Sequence, residues 1–185
     1  MTVTLAKWTL DDYHQMIDFG ILVNRRVELL NGEIIKMVPE GPEHAQLSTD
    51  AADYFRAVLG GRVLIRDAQP ITLPDSNSEP EPDIAIVQPL RQLYLTQHHP
   101  YPDNIFGLIE YASSSLAKDL EAKRYAYARA RIPEYWVVNL MQRQVIVLRT
   151  PEAGDYQQET VVSDGSLYPL AFPEVQISVC RLLEG

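Results

Sequence analysis

At 185 residues, with 46% hydrophobic and 22% charged positions, the chain can bury a substantial core and its composition excludes gross disorder, so it reads as a single domain over residues 1–185. The one cysteine, Cys180, excludes an internal disulfide framework; no apolar run is long enough for a bilayer, and the N-terminus lacks a basic-then-apolar signal, so the expectation is a cytoplasmic protein. A formal net charge of -9 excludes a surface built for indiscriminate adhesion to nucleic acid, which needs clustered Lys and Arg; a local basic rim at Arg124, Arg129 and Arg131 is still open.

Thr9-Leu10-Asp11-Asp12 has the form of a capping box with Asp in place of Glu, and predicts a helix to about Asp18 that stops near Gly20. Next, Arg26 to Leu30 and Glu33 to Val38 flank Asn31-Gly32. That dipeptide between two apolar runs predicts a two-residue hairpin, because a type I′ turn needs positive φ at both central positions. After a break at Pro39 to Pro42, Leu47, Ala51, Tyr54, Phe55, Val58 and Leu59 share one helical stripe. They predict a helix from His44 to Leu59, ended by Gly60-Gly61.

Two strands are expected at Val63 to Arg66 and Gln69 to Leu73. The polar, Pro-rich stretch Pro74 to Pro82 is then a loop that delivers Asp83 to the run Ile84 to Val87. Gln88 to Asn104 shows no period and reads as a surface excursion. Ile105 to Ile109 is a strand closed by Glu110. Ser113 to Ser115 can cap a helix from about Leu116 to Arg131, and Pro133 breaks the pattern. Glu134 to Leu140 and Gln144 to Arg149 read as paired strands, with Tyr156 to Val162 and Val175 to Val179 as weaker ones.

Within this layout Asp83 and Glu110 carry the most chemistry. An acid inside or at the end of a buried strand is costly to desolvate unless paired. Two such acids on neighbouring strands repel, so a divalent cation is their natural partner. On the following helix, steps of three and four place Leu116, Asp119, Leu120, Lys123 and Tyr127 on one side. Lys123 then points towards the element on which the helix packs, or snorkels to solvent beside Asp119, four residues earlier. Glu28 reads two ways, as a third acid of a metal shell or as the partner of Arg25 or Arg26. His44 can contact a phosphate or the site, or serve as a cap or core residue. His98-His99 with Cys180 lacks zinc-ligand spacing, no glycine loop could cradle a phosphate, and no serine sits in a nucleophile elbow.

Glu81-Pro82-Asp83-Ile84-Ala85-Ile86-Val87 and Leu108-Ile109-Glu110-Tyr111-Ala112, followed by Asp119 and Lys123, resemble the two halves of the PD-(D/E)XK nuclease signature. More narrowly, the chain is similar to a bacterial, cyanobacteria-rich family of restriction-endonuclease-like proteins of unknown function. Further segments that carry this likeness are Arg26 to Leu29, Gly32 to Ile34, Gly41 to His44 and Ile132 to Val138, so it spans nearly the whole chain. There are three departures. Ala112 stands where the superfamily's strand lysine normally lies, so the amine must come from the helix. Ser114 and Arg131 replace an expected proline and glycine.

The resemblance implies an α/β (α+β) fold with a restriction-endonuclease-like core, a mixed β-sheet flanked by helices with an N-terminal helix and β-hairpin, and a metal-dependent nuclease acting on DNA. Asp83 and Glu110 would bind Mg²⁺ or Mn²⁺, and Lys123 would orient or deprotonate the attacking water. Glu28, His44 and Asp119 are secondary candidates. A homodimer is expected from exposed strand edges and the apolar stretch Leu167 to Phe172. The alternative is an interaction module that keeps the fold without cleavage, motivated by the acidic balance and the missing strand lysine.

Overall fold

Helix α1 (Leu10–Asp18) opens as its capping box requires: the Thr9 hydroxyl accepts from the Asp12 amide, and the Asp12 carboxylate accepts from the Thr9 amide. These are coordinates of a computed structural model that describes residues 5–113 and 116–185, with backbone alone for 116–120. Strands β1 (Val27–Leu30) and β2 (Glu33–Lys36) form the hairpin in the expected register, Leu30 opposite Glu33. Asn31 and Gly32 take φ of 52° and 74°. A side chain at Gly32 would also strike the Cβ of Lys7 at 2.9 Å, so this position needs glycine twice over.

Helix α2 (Pro42–Leu59) begins two residues earlier than expected, because Pro42 occupies its first turn, where a missing N–H costs nothing. Strands β3 (Leu64–Asp67) and β4 (Ile84–Val87) follow, but Gln69 to Leu73 is not the strand expected. Ala68 turns the chain at φ 47°. The segment then bonds irregularly, with the Ile71, Thr72 and Leu73 amides donating to Pro80, Pro100 and Ser78. Prolines at 70, 74, 80 and 82 remove the donors that a regular ladder would use. The excursion after β4 is likewise more ordered than its sequence implied: it contains helix α3 (Arg91–Thr96). Too short to show a period, α3 is pinned by the Tyr94 hydroxyl donating to the Gln88 carbonyl.

Strand β5 (Ile105–Ala112) runs two residues past Glu110, so that carboxylate lies within the strand and does not close it. Helix α4 (Leu116–Arg129) leads to β6 (Glu134–Asn139), β7 (Gln144–Glu152) and β8 (Asp155–Val162). The two-residue strands β9 (Ser166–Leu167) and β10 (Ile177–Ser178) pair with each other, and helix α5 (Val179–Leu183) ends the chain. Val175 to Val179 therefore shrinks to two strand residues, and Val179 belongs to a helix. The Ser113 to Ser115 cap lies partly outside the described residues.

The six-stranded sheet has the order β3-β4-β5-β6-β7-β8, antiparallel throughout except for the parallel pair β5–β6 that α4 connects. Alternation splits its side chains between two cores. Ile84, Ile109, Trp136 and Val145 pack under α2 and α5 with Phe55 and Leu59. Ala85, Leu108, Tyr135, Val137 and Leu148 pack with Ala126 and Tyr127 of α4, and with Leu30 of the hairpin. Phe55 is fully buried, and truncating such a residue to alanine costs about 3–5 kcal/mol. Leu167 is core as well, which leaves Tyr168 and Leu170 as the large exposed side chains of the stretch expected at a dimer contact.

The end of α4 accounts for the unusual residue at 131. The Arg131 amide donates to the Ala128 carbonyl and the Ile132 amide to that of Tyr127, each at 3.0 Å. This is the paired bonding of a Schellman motif. Arg131 holds its left-handed position at φ 59°, where glycine is preferred. Buried Ile132 anchors the turn against the core that holds Tyr127.

Candidate active site

Five segments distant in sequence meet in a cleft of about 200 Å³ between the hairpin, the start of α2, the β4–β5 pair and α4. Its walls carry Glu28, Glu40, Glu81, Asp83 and Glu110 against two lysines, Lys36 and Lys123. That surplus of carboxylates in a partly enclosed space sets a negative potential that a bound cation would relieve.

Asp83 precedes β4, and the Ile84–Ile109 pairing places it beside Glu110 on the neighbouring strand. Its Oδ2 accepts the Tyr111 amide at 2.6 Å, which uses a donor left free where the β4 ladder stops. Glu110 points to the α4 face and is 5% exposed. Its Oε1 accepts from Lys123 Nζ at 2.9 Å and from the Tyr127 hydroxyl at 2.8 Å. One turn separates those donors on α4, so the expected facing of Lys123 holds, with the sheet acid as its partner. Any contact with Asp119 falls on a side chain outside the described residues.

Glu28, on β1, lies 3.7 Å from the same ammonium and also accepts the Glu81 amide at 3.1 Å. Of its two sequence-level readings the arginine pair fails: among the described residues Glu28 has no ion pair with Arg25 or Arg26, because β1 turns it inward. Arg124 pairs with Asp155 and Glu159 and so does not furnish a free basic rim.

His44 sits in the first turn of α2 with Nε2 3.0 Å from Asp83 Oδ2 and 3.9 Å from Glu40 Oε2. The approach to Asp83 is close but off the line of a hydrogen bond, which leaves this buried nitrogen without an aligned partner among the described residues. Donor atoms of Glu40, His44 and Asp83 lie within 4.8 Å of one another. Two carboxylates and an imidazole around one point, with a nitrogen short of a proton acceptor, fit a divalent ion. Glu40 escaped the sequence reading because it lies in the Pro39 to Pro42 break. Its four-residue spacing from His44 was the available signal. Glu81 was visible only as a neighbour of Asp83.

Charge states follow from burial and neighbours. Burial pushes the Glu110 carboxyl up to about 7, against the pull of Lys123. For Lys123 burial acts downward, yet Glu110 and Glu28 outweigh it and hold the amine above its ordinary value. One ammonium faces several acids, which share its charge. Glu81 is raised by burial and then by Glu28. Burial lowers His44, but the closely placed Asp83 carboxylate raises it on balance.

Among the described residues no helix is long and apolar enough to cross a membrane. No curated protein matches the chain. A solved structure from Anabaena variabilis ATCC 29413, described as "a putative nuclease belonging to DUF820", superposes with a TM-score of 0.73 at 15% identity, over 95% of this chain and 97% of that one. At that identity the likeness speaks for the fold, a mixed sheet between helices. The sequence model of the Uma2 family, described as "Putative restriction endonuclease", matches residues 10–180. With nearly its whole length matched, the chain belongs to the Uma2 family.

Proposed function

We propose that the protein is a divalent-metal-dependent nuclease that hydrolyses phosphodiester bonds of DNA in this cleft. The observation that carries the reading is the convergence of Asp83, Glu110 and Lys123 from three separate elements, with the lysine bonded to the second acid at 2.9 Å. Family membership and the shared fold support it.

Asp83 and Glu110 would hold the cation, and His44 and Glu40 complete a donor set on the α2 side. A nitrogen among the oxygens suits Mn²⁺ at least as well as Mg²⁺. Such an ion, when bound, neutralises phosphate charge and lowers the pKa of a water. Lys123 is held protonated, so it donates: its ammonium orients the attacking water and stabilises charge building on the phosphate. It does not act as the base. The helix-borne amine reaches the site without a strand lysine at Ala112, which removes one motive for a catalytically silent module.

Cutting of varied DNA substrates with Mg²⁺ or Mn²⁺, against Asp83→Ala and Glu110→Ala, tests the assignment. Cleavage that survives in both variants refutes it, and a protein that neither binds Mn²⁺ at these acids nor cuts DNA favours the silent interaction module. A second copy packing on exposed Tyr168 and Leu170 belongs to the same reading, and sedimentation equilibrium tests it.

A further inference from the structure

The two oxygens of Glu110 are in different circumstances. Lys123 Nζ and the Tyr127 hydroxyl both donate to Oε1, at 2.9 and 2.8 Å. Among the described residues Oε2 receives no hydrogen bond, and Glu110 lines the cleft. A carboxylate held by one oxygen from two directions cannot rotate without breaking both bonds, so its other oxygen has a set direction.

Tyr127 is itself held. It is fully buried, and its ring meets Tyr135 edge to face at 5.0 Å between centroids. The α4 backbone is locked at the Tyr127 carbonyl by the Ile132 amide. A phenol fixed by ring packing and by the helix end makes a more rigid donor than a lysine on its four-carbon stem.

We infer that Tyr127 is a positioning residue, which clamps Glu110 through Oε1 so that Oε2 is presented to the cation. This inference rests on the metal-dependent reading of the site. Groups that orient a metal's carboxylate ligands typically matter 10- to 100-fold in metal affinity or activity.

The test compares wild type with Tyr127→Phe, which keeps the ring and its packing, and with Tyr135→Phe, which removes a neighbouring hydroxyl that has no hydrogen-bond partner among the described residues. Mn²⁺ binding is read by calorimetry, and kcat and KM for DNA are read separately. The expected result is about 10-fold or greater loss of Mn²⁺ affinity in Tyr127→Phe. Its kcat should fall while KM for DNA and the melting temperature change little, with Tyr135→Phe like wild type in all four. Equal Mn²⁺ affinity in wild type and Tyr127→Phe overturns the inference and leaves the nuclease reading standing, as does an equal loss in both tyrosine variants. A wild type that binds no Mn²⁺ overturns the metal reading, and the inference with it.

Discussion

Asp83 and Glu110 stand side by side one position beyond the last bonded pair of the antiparallel β4–β5 ladder, Ile84 with Ile109. The strand register therefore brings two acids together, and the fold tolerates the arrangement through the Tyr111 amide on one and Lys123 with Tyr127 on the other. Asp83→Asn should leave the protein as stable as wild type, or about 1 kcal/mol more stable, in chelator-treated buffer, since an amide oxygen still accepts from Tyr111 while the repulsion is gone. The same change should lower DNA cleavage at least 100-fold. Urea unfolding and a plasmid-nicking assay on one preparation check both halves.

Removing the amine has the opposite effect on stability. Lys123→Ala leaves Glu110 and Glu28 as buried or nearly buried acids without their cation, and breaking such a pair costs about 3–5 kcal/mol. Equilibrium urea unfolding should show that loss in the absence of metal. Partial recovery is expected on adding Mn²⁺, because a cation bound to the same acids stabilises the folded state by mass action.

Metal affinity should depend on pH with a defined sign. Burial, partly countered by Lys123, places Glu110 near 7. Below that value a cation must displace a proton from the carboxyl, and above it the carboxylate is already free. Mn²⁺ affinity should therefore rise from pH 5.5 towards 7, by up to about tenfold per pH unit for Glu110 alone and more steeply where His44 also gives up a proton, and then flatten once both are deprotonated. Calorimetric titrations across pH 5.5 to 8 measure the slope, and a flat profile would exclude Glu110 as a ligand.

Arg131 offers a stabilising substitution. Its φ of 59° is the left-handed conformation at the residue after a helix end, which costs a side-chain-bearing residue about 1–2 kcal/mol. Glycine gives back part of that gain through its freer unfolded chain. Arg131→Gly should raise stability by about 0.5–1 kcal/mol, visible as a higher urea midpoint at unchanged slope.

The parts of the fold legible in the sequence are those with a local physical cause. Thr9 with Asp12 specified the start of α1, Asn31-Gly32 specified the hairpin, and the stripe through Leu47, Ala51 and Phe55 specified the buried face of α2. Gln69 to Leu73 misled because its apolar alternation serves burial of Ile71 and Leu73, while proline removes the ladder. Helix α3 and α5 are too short for periodicity to register. Within the candidate site, Asp83 and Glu110 stood out because a charge is conspicuous in an apolar run, and Lys123 because four-residue spacing puts it on one helix side with Tyr127. Glu40 sits in a polar break where an acid is unremarkable, and its approach to His44 and Asp83 exists only once the hairpin and α2 have packed against the sheet.

The parallel pairing of β5 with β6 obliges the chain to return from one end of the strands to the other before β6 can start, and α4 is that return. Such crossovers are right-handed in nearly all proteins, for reasons of strand twist and helix chirality. Once the two strands run the same way, the connecting helix is confined to a single side of the sheet, the side that Glu110 faces. The amine's arrival at the acid is thus a product of handedness.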